Sequence, residues 1–246
     1  MRSSLLIAYA SRSTQEVEAR PLVRCVAASN RSGKNQAIPP ARSPSNIHQA
    51  TTATDPVETM PLAAITGVVP PRRGRITYRG RDITGGAPEA IARRGVGLVP
   101  QGRRIFPNLS VLENLTIARR GRGVWTLERV FETFPRLHQL RHASGGTLSG
   151  GELQLLAIAR ALMGNVELLL LDEPFEGLAP TIVETVWNVL HALKGETTLL
   201  LVEQNADLAL ALAGRAYVIN NGSIAWSGDA TTLRAQDDLR RRLLGV

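Results

Sequence analysis

The chain has 246 residues and a mass of 26.6 kDa, enough for one large α/β domain, or for a domain of roughly 180 residues with an extension. Its 43% hydrophobic and 20% charged residues suit a globular protein, and no apolar run nears the roughly 20 residues that cross a bilayer, which excludes a spanning helix. One cysteine, Cys25, excludes a disulfide framework, four scattered histidines disfavour a metal centre, and the net charge of +8 is arginine bias without interleaved aromatics, so no nucleic-acid partner is expected.

Composition changes abruptly near residue 61. Residues 1–61 are rich in Ser, Thr, Arg and Pro, and Pro39, Pro40, Pro44, Pro56 and Pro61 interrupt any long helix. Only residues 5–9 and 22–28 read as short strands. This segment is expected to be poorly ordered and atypical, and no secretory signal is read in its short first apolar run. From Leu62 the pattern is ordered α/β. Strands are expected at 75–79, 95–99, 166–171 and 197–202, the last two as continuous apolar runs suited to a sheet covered on both faces. Helices are expected from Ser110, where Glu113 completes a capping box, from Thr126, over 149–163, from Pro180 to Lys194 and over 207–213. Residues 216–227 read as a hairpin around Asn221-Gly222. Alternating strands and helices predict a parallel sheet.

Two stretches carry chemistry. Leu168-Leu-Leu-Leu-Asp172-Glu173 places two carboxylates at the C-terminal end of a buried strand, where ligands of open α/β sheets bind. One can hold Mg²⁺ through water, and the next can polarise an attacking water. Leu148-Ser149-Gly150-Gly151-Glu152 opens a helix with backbone N–H groups that a phosphate can approach. The plainer readings are a strand end with solvated acids and a Gly-rich cap.

Together these segments resemble the signature sequence and Walker B strand of the ABC ATPases. Val99-Pro-Gln101 resembles their Q-loop, Glu176-Gly-Leu-Ala179 their D-loop and Leu201-Val-Glu-Gln204-Asn205 their switch loop, in family order over roughly 62–246. The resemblance implies an α/β fold of P-loop NTPase type, with a parallel sheet core and a helical subdomain at about 102–147. Gly97–Pro107, Glu176–Pro180 and Leu201–Asn205 narrow it to the second ATPase of branched-chain amino-acid importers; urea and amide importers are close alternatives. The cofactors implied are ATP and Mg²⁺. Glu173 is implied as general base, with Gln204 at the usual histidine position; Asp172 and Gln101 are implied at the metal and the nucleotide. Ser149, Gly150 and Gly151 are implied to reach a nucleotide held by the other subunit. Arg103 to Phe106 fall where such proteins meet a permease, although Phe106 is more readily read as core. The partners implied are a second ATPase subunit, or a homodimer, and membrane permeases, with the chain peripheral on the cytoplasmic face of the inner membrane.

One part of the family pattern is missing. The phosphate-binding loop, Gly-x-x-x-x-Gly-Lys-Ser/Thr, belongs just before Leu62, yet Asp55–Pro61 contains neither glycine nor lysine. Lys194 ends a distant helix. Lys34 follows Gly33 but lacks the first glycine and the hydroxyl. Residues 1–61 are therefore read as foreign to the family, through a frameshift, a wrong start or recombination. The competing readings are a non-hydrolysing remnant that docks on a partner, and a soluble DNA-acting ABC protein. The second is disfavoured because only about 45 residues separate Gln101 from Leu148.

Overall fold

The computed structural model describes residues 4–10, 23–26, 60–121, 123–220 and 222–244. Lys34 and most of the segment read as poorly ordered lie outside them. The framework is a six-stranded sheet built on three parallel strands, β5 (Val96–Val99), β6 (Leu168–Asp172) and β7 (Thr198–Glu203). Val99 pairs with Leu171, and Asp172 with Val202, so all three strands end at one edge. The sheet continues through β1 (Ser4–Ala10) to the hairpin β8 (Arg215–Asn220) and β9 (Ser223–Asp229), in the order β5-β6-β7-β1-β8-β9.

The slot between β7 and β8 has the largest consequence for function. β1 is antiparallel to both neighbours, with Leu6 opposite Glu203 and Ala10 opposite Leu199. It therefore begins at the edge where β5, β6 and β7 end. It finishes at the opposite edge, about 13 Å away at the usual strand rise. The expected parallel core is thus interrupted by one reversed strand, a feature that the apolar run of residues 5–10 does not encode.

Strand pleating sorts the core into two layers. Leu168, Leu170 and Val202 face a smaller lobe made of β2 (Val23–Val26), β3 (Arg75–Tyr78), β4 (Arg81–Asp82), α1 (Met60–Ile65) and α2 (Pro88–Ala92). Leu62 and Ile65 of α1, Ile76 and Tyr78 of β3 and Ile91 of α2 supply its buried surface. Leu169, Leu171, Leu199 and Leu201 face the larger layer. That layer contains α6 (Gly150–Leu162), α7 (Pro180–Leu193), α8 (Ala206–Leu212) and α9 (Ala230–Ala235), and α10 (Asp237–Leu244) closes the described chain.

Between β5 and α6 lie α3 (Val111–Ile117), α4 (Leu127–Thr133) and α5 (Pro135–Gln139). Each begins where local chemistry dictates. Ser110 accepts from Glu113 N while the Glu113 carboxylate reaches back to Ser110 N, a reciprocal cap. Thr126 caps α4, and Pro135 occupies the first turn of α5. Arg136 bridges to Glu152 at 2.8 Å and fastens α5 to the first turn of α6. Among the described residues no helix is long and apolar enough to cross a membrane.

Candidate functional site

Because β5, β6 and β7 are parallel, the residues after them converge. Asp172 ends β6 with only 5% of its surface exposed, and Glu173 follows with φ of 46°. A left-handed backbone costs a non-glycine residue roughly 1–3 kcal/mol and persists only where the surroundings hold it. Gln204 Nε2 donates to Glu173 Oε1 at 2.9 Å, and Gln101 Nε2 approaches Oε2 at 3.4 Å. Gln101 also donates to Glu176 Oε2 at 2.9 Å. The structure thus gathers Gln101, Asp172, Glu173 and Gln204, four of the seven residues singled out, with Glu176 beside them.

Ser149, Gly150 and Gly151 form a second group at the start of α6. Ser149 is the N-cap, in a second reciprocal cap with Glu152. Ser149 and Gly150 are exposed, but Gly151 is buried, and a Cβ there would lie 2.4 Å from Ile182 Cγ2. Gly151 is thus required by the close approach of α6 and α7. Arg103 joins the two groups: Nε donates to Gln154 Oε1 on α6, and Nη2 to the Glu176 carbonyl, both at 3.2 Å.

Sequence reasoning missed two residues. Glu203 is 4% exposed, and its carboxylate accepts from Phe175 N at 3.3 Å and from Asn205 N at 2.9 Å. It therefore ties the turn after Glu173 to the turn carrying Gln204. Burial raises its pKa above the ordinary carboxylate value, against backbone hydrogen bonds that lower it, and the Glu173 charge raises it further. The folded state thus holds this proton more tightly than the unfolded chain. Its stabilising share is complete below the unfolded carboxylate pKa and is lost as pH rises through the raised folded value. Glu203→Gln is expected to flatten this part of the stability–pH curve, read from urea midpoints across the acid-to-neutral range. An unchanged slope would contradict the assignment.

Asn114 is fully buried in α3. Its Oδ1 accepts from Phe106 N at 3.0 Å, and its Nδ2 faces the carbonyls of Phe106, Leu109 and Ser110 at 3.0–3.2 Å. It shapes the loop that leaves Phe106, read as core, 49% exposed. Asn114→Ala should cost about 1–3 kcal/mol by stranding these backbone groups, measured as a lower urea midpoint; an unchanged midpoint would contradict that role.

Among the described residues no group of three or more His, Cys, Asp and Glu side chains can hold a metal. Asp172 and Glu173 suit Mg²⁺ only where phosphate oxygens and water complete the shell. Among the described residues no lysine stands beside these carboxylates to hold phosphates. The lone described lysine, Lys194, caps the far end of α7. The strand beside β7, which runs toward this edge in a strand–loop–helix phosphate site, here runs away from it.

Comparison with known proteins identifies the family of this fold. A family model described as ABC transporter matches residues 59–176. The high-affinity branched-chain amino acid transport ATP-binding protein BraG of Pseudomonas aeruginosa is 42% identical over 181 residues, covering 70% of this chain and 76% of that protein. The lipopolysaccharide export system ATP-binding protein LptB of Escherichia coli is 34% identical over 188 residues, covering 74% and 78%. A crystal structure of a nucleotide-free ATP-binding cassette from an ABC transporter superposes with a TM-score of 0.64 at 26% identity, covering 77% of this chain and 80% of that one.

Proposed function

The chain belongs to the ABC transporter ATPase family, and from that premise we propose that it serves a branched-chain amino-acid importer by completing a partner's nucleotide site without a working site of its own. ABC ATPase subunits act as dimers with membrane permease components. The importer assignment is supported by the likeness to BraG.

The observation that carries the reading is the polarity of β1. A phosphate loop needs a strand that delivers it to the edge holding Asp172 and Glu173. Among the described residues the strand in that place, β1, starts at that edge and runs away from it. Ser149 and Gly150 remain exposed at the positive N-terminal end of a 13-residue helix. That end faces outward and is available to a nucleotide held by another subunit. Glu173 accepts from both Gln101 and Gln204. The proposed location is the cytoplasmic face of the membrane, through permease subunits.

Co-expression with the cognate permease and second ATPase subunits tests this. A stable complex that accumulates the branched-chain solute is expected. Free monomer at all nucleotide concentrations would sink the reading, and uptake of an amide or urea alone would redirect it to that solute.

A further inference from the structure

We infer that Arg103 is a positioning residue that carries movement of the 101–106 loop into the loop at Glu176 and into α6. Its functional consequence rests on the reading that the start of α6 faces a partner's nucleotide; its mechanical part stands on this chain alone.

Glu176 is gripped twice by one neighbouring loop. Gln101 donates to its carboxylate at 2.9 Å, and Arg103 Nη2 donates to its carbonyl at 3.2 Å. Through Nε the same guanidinium holds Gln154, which is 5% exposed on α6. One planar group therefore joins three elements in a fixed relation. A lysine ammonium is a compact point charge without that planar fork and cannot hold Nε- and Nη2-type contacts in a fixed relation.

On its other side the loop reaches the surface. Arg160, half-buried, stands 5.4 Å over the ring of exposed Phe106 and donates to the Arg104 carbonyl at 2.6 Å. A continuous path runs from Phe106 through Arg160, Arg104 and Arg103 to Glu176. Gly102, Arg103 and Arg104 have φ of 76°, 64° and 42°. Two consecutive arginines stay left-handed only when their surroundings hold them, and the guanidinium contacts do so here. Pressure on Phe106 from a membrane subunit then displaces Glu176 and α6 together, through packed and hydrogen-bonded neighbours.

NMR of the isotope-labelled full chain tests the path. Phe106→Ala is expected to shift the amide resonances of Glu176 and its loop neighbours while those of β6 stay in place; Gln154 is not the readout, because Arg160 already joins Phe106 to α6. In an Arg103→Ala background the same substitution should shift the Glu176 loop resonances less, by roughly threefold or more, because coupled residues are non-additive. Arg103→Met, which keeps the aliphatic stem, gives the same reading if the alanine variant does not fold. Arg103→Lys should leave the propagation lost. Equal shifts with and without Arg103, or full rescue by lysine, would overturn the inference. In the assembled complex, Arg103→Met should lower kcat for Mg·ATP by about fivefold or more, with KM little changed. An unchanged kcat would overturn the functional consequence. A complex with no turnover before substitution would count against the reading of the α6 edge, while the NMR result still decides the mechanical path.

Discussion

Purified alone, the chain is expected to bind Mg·ATP with a dissociation constant weaker than about 1 mM and to release no phosphate above background. The triphosphate is an anion that a phosphate loop holds with several backbone N–H groups and a lysine. Each charge-assisted hydrogen bond of this kind contributes roughly 1.5–3 kcal/mol. Losing two of them weakens binding by about 10²–10⁴. Asp172 and Glu173 do not compensate, since carboxylates offer a phosphate no hydrogen-bond donors and repel its charge. Gln101 and Gln204 are committed to Glu173 and Glu176. Calorimetric titration and a phosphate-release assay check this. Micromolar binding, with turnover abolished by Glu173→Gln, would mean that the segment around Lys34 forms a working loop.

The second large effect is on stability. Leu169 has no exposed surface and points from β6 into the larger core layer, between parallel neighbours on both sides. Leu169→Ala removes transfer energy and leaves a cavity that the sheet cannot close, at a cost of about 2–5 kcal/mol. A matched substitution at exposed Ile224 of β9 should stay within about 0.5 kcal/mol. Urea unfolding that finds the two equal would contradict the account of β6 as the centre of the core.

Much of this was legible because its causes are local. Ser110 with Glu113, and Ser149 with Glu152, announce helix starts through spacing alone, and both reciprocal caps are present. The apolar runs ending in Asp172 and Glu203 read as buried strands because both of their faces are covered. Other features were hidden because their causes are distant. Arg103 meets Gln154 and Glu176, which are 51 and 73 residues away. Gly151 reads as a phosphate approach, and its packing requirement appears only when Ile182 is seen against it. Asn114 looks like an ordinary helical polar residue until its side chain is seen buried against the loop at 106–110. The direction of β1 had no local signal, because a run of apolar residues pairs equally well either way. Its neighbours decide, and they lie some two hundred residues further on.

Nucleotide stoichiometry in the assembled transporter tests the central claim most directly. Native mass spectrometry of the complex, saturated with a non-hydrolysable ATP analogue and Mg²⁺, counts the nucleotides held by its pair of ATPase subunits. One nucleotide per pair, lost when Ser149→Arg is introduced into this chain, is the result expected if its α6 edge completes a partner's site. Two nucleotides per pair would show that this chain holds ATP itself, and would contradict the account.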